Sequence, residues 1–173
     1  MLVWMDLEMT GLNPATDQII EIATLATDWE LNIISQGPEL AIHWPTQVFE
    51  QMDDWCIEHH GASGLTNRCL NSSISLKQAE QDTLTWLQSC VPKGVTPLCG
   101  NSIHQDRRFL YKHMPELESY FHYRNIDVST LKELTKRWYP AASPYVKTNK
   151  HTALEDIVES IEELRHYKKQ YFI

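Results

Sequence analysis

Leu2-Val3-Trp4-Met5-Asp6-Leu7-Glu8-Met9-Thr10-Gly11 is the stretch of this 173-residue chain from which the rest is read. Its first part is apolar, carries a β-branched residue and a Trp, and ends at Thr-Gly, which predicts a strand. It is apolar on both sides, as a central strand covered on both faces would be. Two acids then interrupt it. Asp6 and Glu8 are two apart, so on an extended chain they point to the same face. Neighbouring carboxylates repel, and a buried charge is costly unless compensated. A divalent cation compensates both at once, and hard oxygen donors on a rigid strand suit Mg²⁺ or Mn²⁺. The plainer alternative is a frayed, solvated strand end.

Outward from this stretch, Gly11 to Pro14 reads as a turn. Residues 18–28 alternate as a second strand, and 31–35 and 39–44 read as a third and fourth, parted by Gly37-Pro38. Residues 53–70 look polar and irregular. There Glu58, His59 and His60 suit metal ligands on paper, but solvated loop histidines are the favoured reading. Residues 75–90 form a helix with Leu76, Ala79, Thr83, Leu84, Leu87 and Val91 on its buried stripe. A short strand at 95–100 and a helix at 102–113 follow, the helix opened by a Ser102–Gln105 capping box. After a strand at 125–128 come a helix from 129 or 130 to 138, a loop at 139–150 and a last helix at 152–169. That helix should bury Leu154, Ile157, Val158, Ile161 and Leu164. A meander followed by alternating elements implies one α/β domain over residues 1–173, with a mixed β-sheet flanked by helices.

Bulk properties narrow the function. The net charge of −8 excludes a broad basic surface for long duplexes, so a nucleic-acid partner must be short or locally gripped. Cys56, Cys69, Cys90 and Cys99 lack Cys-x-x-Cys spacing and read as reduced thiols in a cytoplasmic protein. No secretory signal is expected, because an acid interrupts the short apolar start. No run reaches the ~18 apolar residues of a membrane span, so no membrane partner is expected.

Two further acids recur in matching places. Asp106 follows the Ser102–Gln105 box by one residue, and Asp156 follows a Thr152–Glu155 box by one. Acids are common in first turns, where the helix dipole favours them by ~0.3–1 kcal/mol. His151 adds weight to the pattern. The residue before a cap and the fourth helical residue normally make the hydrophobic staple. Here those positions hold His151 and Asp156, so an imidazole and a carboxylate should converge beside the helix start. A surface His–Asp pair is the plainer reading. Asp6, Glu8, Asp106 and Asp156 are then four carboxylates, enough for two cations about 4 Å apart. His151, with an ordinary pKa of ~6.5, suits the base that deprotonates a water.

This arrangement resembles the DEDDh exonuclease superfamily, in which four acids bind two metals and a His stands five before the last Asp. Within it, Asp6–Leu12, Gly100–Leu110, Tyr123–Leu134 and His151–Ile157 resemble the oligoribonuclease family, in order and over nearly the whole chain. The resemblance implies a ribonuclease H-like exonuclease fold and a homodimer. It implies 3′-to-5′ hydrolysis of very short RNA oligonucleotides, dinucleotides especially, to nucleoside 5′-monophosphates. It further implies that Leu12 and Trp55 contact bases and that His60, Ser102, Tyr123, Arg124 and Ser129 cap a 5′ phosphate. His104 departs from the small residue expected there. The alternative within the superfamily is an exonuclease acting on longer single-stranded RNA or DNA 3′ ends. A non-catalytic binding module is disfavoured, because all five catalytic positions hold the right residue types.

Overall fold

The computed structural model describes residues 1–141, 144–146 and 152–172. The first strand, β1 (Leu2–Met9), includes both acids and does not fray before them. It pairs antiparallel with β2 (Ile19–Thr27), which pairs antiparallel with β3 (Ile33–Ala41). Three short helices follow: α1 (Thr46–Glu50), α2 (Asp54–Ala62) and α3 (Leu65–Asn71). Then come α4 (Leu76–Cys90), β4 (Leu98–Gly100), α5 (His104–His113) and α6 (Pro115–Glu118). The chain closes with β5 (Asn125–Asp127), α7 (Val128–Trp138) and α8 (Ala153–Tyr171). Among the described residues the sheet runs β3-β2-β1-β4-β5, with β4 and β5 parallel to β1. The sheet is thus mixed and flanked by helices.

The period of β1 sorts the core into two layers. Val3, Met5 and Leu7 pack in one cluster with Leu84 and Leu87 of α4 and Phe109 and Leu110 of α5. Leu2 and Trp4 pack in the other, with Val128 of α7 and Ala153, Ile157 and Ile161 of α8. Trp4 is buried, and its indole N–H donates to Thr27 Oγ1 at 3.0 Å, so its one polar atom is satisfied. Asp6 and Glu8 continue the even-numbered row that faces α8. Its partner β4 ends early: it meets β1 only at Val3 and Trp4. The acidic end of β1 therefore runs past its parallel neighbour, and the starts of α5 and α8 gather there.

Four local expectations change. The third and fourth strands are one strand, β3, running through Gly37-Pro38. An edge strand tolerates Pro, whose missing N–H would face away from the sheet. The register shifts between Ala23 and Leu25, and Thr24 Oγ1 donates to the Pro38 carbonyl at 3.2 Å. Residues 53–70 hold two helices; Asp53 caps α2, accepting from Cys56 N, while α2 lacks the apolar stripe that reveals a helix in sequence. Ser102 does not cap α5 with its side chain: Ile103 holds the cap position, and Ser102 has a left-handed backbone at φ 51°. On α8 the buried stripe runs through Ala153, Ile157, Ile161 and Tyr167, leaving Val158 exposed.

Gly37 marks where β3 is pressed against its surroundings. A Cβ there would meet Thr24 Oγ1 at 2.2 Å and the Trp86 ring at 2.7 Å. Gly37→Ala is expected to lower stability by about 1–3 kcal/mol through overpacking, read as a lower midpoint in urea unfolding. An unchanged midpoint would mean that β3 is held less tightly than this.

Candidate active site

The site is built where β1 outruns β4. One carboxylate oxygen from each of Asp6, Glu8 and Asp156 falls within 4.8 Å of the other two. Asp6 and Glu8 are held by the alternation of β1. Asp156 is held by the start of α8, which the Thr152–Glu155 capping box defines as expected. Thr152 Oγ1 accepts from Glu155 N and lies 3.0 Å from Glu155 Oε2. Asp156 N donates to the Thr152 carbonyl at 2.9 Å, and Ser160 Oγ donates back to the Asp156 carbonyl at 2.8 Å. The acid is thereby fixed as the fourth helical residue.

Asp106 enters from α5 and is buried. Its Oδ1 accepts from Leu7 N at 3.0 Å. It thus bonds the backbone between Asp6 and Glu8, and all four acids expected from sequence meet on one end of β1. His151 lies outside the described residues.

Electrostatics show what this crowding does. The Glu8 carboxyl is pushed up to about 8, first by burial and then by Asp156, Glu21 and Asp106, against a small opposing pull from Arg68. Burial likewise pushes Asp106 up, while the Leu7 N–H works the other way. Acids that resist ionisation side by side suit a cation that would hold them ionised. The donors are all oxygens, the hard set that divalent cations of the Mg²⁺ and Mn²⁺ kind take. Asp6, Glu8 and Asp156 therefore fit a divalent metal, with Asp106 seated on the same end of β1 through Leu7 N.

The other expected residues divide among three places. Leu12, Trp55 and His60 line one cleft of about 500 Å³ with Glu8 and Met9, so they meet the acidic end of β1 at Glu8. Leu12 is 69% exposed and Trp55 61%, and the two stand together in this cleft. Trp55 stacks on His59 with ring centroids 3.8 Å apart. His60 is buried on α2, not solvated in a loop. Its Nε2 lies 2.9 Å from the Met9 carbonyl and its Nδ1 4.0 Å from Glu8 Oε2. Burial holds its pKa below the ordinary histidine value.

Ser102 and Ser129 meet at a second place, through Asp127. Tyr123 and Arg124 form a third, exposed together, with the guanidinium 5.4 Å from the Tyr123 ring centroid.

Two neighbours were not anticipated. Glu21 is fully buried directly across from Glu8 on β2 and is paired with Arg68 of α3. Asp127 caps α7, where the expected helix began one or two residues later. An Asp two before a Ser at a strand end is an N-cap signal that marks it.

Comparison with known proteins places this chain in a family. The profile described as Exonuclease matches residues 3–164. The oligoribonuclease of Vibrio parahaemolyticus is 59% identical over 172 residues, covering 99% of this chain and 95% of that protein. The oligoribonucleases of Pseudomonas putida and Colwellia psychrerythraea are 57% and 56% identical, each again covering 95% of the relative. Among solved structures, exonuclease I of Methylocaldum szegediense superposes with a TM-score of 0.73 at 18% identity. E. coli exonuclease I in its zinc-bound complex with single-stranded DNA gives 0.74 at 15%. This chain is covered to 98% in both and spans 40% and 41% of those longer chains, so they share the ribonuclease H-like exonuclease fold.

The raised Glu8 pKa sets the pH response of the metal-free protein. Its folded value of about 8 exceeds its ordinary 4.5, so the folded state binds more protons between them and stability falls as pH rises through that window. In EDTA the melting temperature should drop from pH 5 to pH 8. Saturating Mg²⁺ should raise it by roughly 5–10 °C at pH 8, and by less at pH 6, where protons compete. A Mg²⁺ shift equal at both pH values would refute this coupling.

Proposed function

This chain belongs to the oligoribonuclease family and is a 3′-to-5′ exoribonuclease; from that premise we propose that it clears very short RNA, dinucleotides above all, to nucleoside 5′-monophosphates. The observation that carries the reading is the cleft of Leu12, Trp55 and His60, whose wall includes Glu8. An exposed Leu and an exposed Trp beside a hydrolytic centre suit two bases, one wedged and one stacked, the latter for ~1–3 kcal/mol. Net charge −8 offers a longer RNA little electrostatic attraction, so affinity comes from local contacts.

In this reading Asp6, Glu8, Asp106 and Asp156 hold two divalent cations, Mg²⁺ or Mn²⁺. When bound, these supply positive charge to the phosphodiester and to the attacking water. His151, next to the Thr152 cap in sequence, accepts the proton as the water oxygen bonds to phosphorus. The bond from phosphorus to the 3′ oxygen breaks, and that oxygen takes up a proton from solvent water. His60, buried and favoured in its neutral form, donates its Nε2–H to the Met9 carbonyl and holds that wall of the cleft in place. Leu12 and Trp55 position the bases. His60, Ser102 and Ser129, with Tyr123 and Arg124 contributed by a second subunit, cap the 5′ phosphate. The working unit is then a homodimer of residues 1–173 folded as one domain. Four free cysteines, three of them buried, support a cytoplasmic setting. Among the described residues, no helix is long and apolar enough to cross a membrane.

Rates on two-nucleotide and ten-nucleotide RNA test the substrate. The dinucleotide should have the higher kcat/KM; equal or greater cleavage of the ten-mer would favour an exonuclease of longer strands. His151→Ala should lower turnover by roughly 10²–10⁴-fold with binding retained, and full activity in EDTA would sink the metal role. For the dimer, Asp6→Ala and Arg124→Ala are each expected to be inactive or nearly so on a 5′-phosphorylated dinucleotide. Mixing them should restore cleavage, because the Arg124→Ala subunit keeps its own acids and borrows its partner's guanidinium. No recovery after mass spectrometry confirms subunit exchange would place the clamp within one subunit.

A further inference from the structure

Asp127 has no part in the chemistry above, yet it is the hub of the second cluster. Its Oδ1 accepts three hydrogen bonds: from Ser102 N at 2.9 Å, Ser129 N at 3.0 Å and Ser129 Oγ at 2.6 Å. Its Oδ2 faces His104 Nδ1 at 3.5 Å. We propose that Asp127 is the positioning residue of the 5′-phosphate cap, the single anchor that sets the Ser102 turn and the first turn of α7 side by side. This rests on the reading of Ser102 and Ser129 as that cap.

The topology explains why one carboxylate can do this. β4 and β5 are parallel neighbours, with Gly100 paired to Asp127. The chain leaving β4 reaches Ser102 two residues later, and the chain leaving β5 enters α7 at once. Both serines thus lie just past the same edge of the sheet, and Asp127 is the last residue of β5 between them. Ser102 has a left-handed backbone, which costs a non-glycine residue of order 1 kcal/mol or more and persists only when its surroundings enforce it. The bond from its N–H to a carboxylate is the charge-assisted kind that can enforce it.

The Ser129 hydroxyl has one proton and gives it to Asp127, which turns its lone pairs outward. A 5′ phosphate arriving at the cap takes that proton in a new hydrogen bond. The Ser102 and Ser129 N–H groups keep Asp127 in place while the hydroxyl turns. Asp127 also brings a negative charge close to the incoming phosphate, so the cap needs a cation to complete it. That requirement fits a guanidinium arriving from outside the cluster.

Kinetics on two substrates test the proposal: diadenosine RNA with and without its 5′ phosphate. The wild-type enzyme should show the lower KM for the phosphorylated form. Asp127→Ala should raise that KM roughly tenfold, the effect of losing placement of one hydrogen bond to a charged group. Its kcat should stay within about twofold, and its KM for the 5′-hydroxyl form should not move. Asp127→Asn keeps an oxygen at the Oδ1 position and should recover most of the preference. A similar loss on both substrates, or a fall in kcat alone, would make Asp127 a helix cap only and overturn the proposal. So would an Asp127→Ala enzyme that keeps the wild-type KM ratio. Should Asp127→Ala fail to fold, Asp127→Glu, which moves the carboxylate by one methylene, is expected to lose the preference that Asp127→Asn keeps; the reverse order overturns the proposal. A wild-type enzyme indifferent to the 5′ phosphate would remove the cap reading itself, and this inference with it.

Discussion

Everything in this molecule answers to one constraint: carboxylates that repel one another must be held together at the end of a buried strand. Left to themselves, Asp6, Glu8 and Asp156 would move apart or take up protons; the Glu8 pKa is raised first by burial and then by Asp156. The fold resists it with apolar packing supplied a few residues away. Trp4 and Leu2 lock β1 against α8 on one side, while Val3, Met5 and Leu7 lock it against α4 and α5 on the other. Ala153, Ile157 and Ile161 fasten the first turns of α8 to the same layer as Trp4, so Asp156 cannot retreat without tearing out part of the core.

Backbone economy does the rest. The acids stand on the first turn of α8, on α5 near its start and on a strand, all places where the main chain is stiff. Small displacements of a carboxylate are costly there, and a cation finds its ligands already in place. The cleft of Leu12 and Trp55 is the opposite sort of surface, exposed and apolar, and in the proposed reading it is where a base exchanges with water. Function is divided between a rigid acidic floor and a wettable rim.

How much of this was legible in the sequence follows from which forces are local. The two-residue spacing of Asp6 and Glu8 placed both on one face because a strand's period is two. The Thr152–Glu155 box placed Asp156 because a capping box is a short-range hydrogen-bond pattern. The apparently similar Ser102–Gln105 box misled, since Ser102 is held by Asp127, a residue 25 positions away, and long-range partners leave no local trace. Gly37-Pro38 looked like a strand break, yet β3 lies at an edge where Pro costs little. The helices α2 and α3 were hidden because they pack as short pieces without a clear amphipathic stripe. The roles of Leu12 and Trp55 at bases and of His60 at the 5′ phosphate came from family resemblance and not from spacing; that the three line one cleft is tertiary geometry with no local trace. Glu21, across the strand from Glu8, was visible only as one more acid in a β run.

The bond from Leu7 N–H to Asp106 carries a further meaning. β4 stops too soon to receive that amide, and a side chain from α5 takes the place of a missing strand. The sheet edge at the active site is therefore sealed by one of the acids themselves. Amide hydrogen exchange at Leu7 becomes a native reporter of the site: its protection depends on a single carboxylate staying seated, whereas the amides of β1 that bond to β2 open only with the sheet. Departure of Asp106 from its seat and exposure of a sheet edge to water are one event, so the chemistry of the site and the integrity of the sheet are read from the same proton.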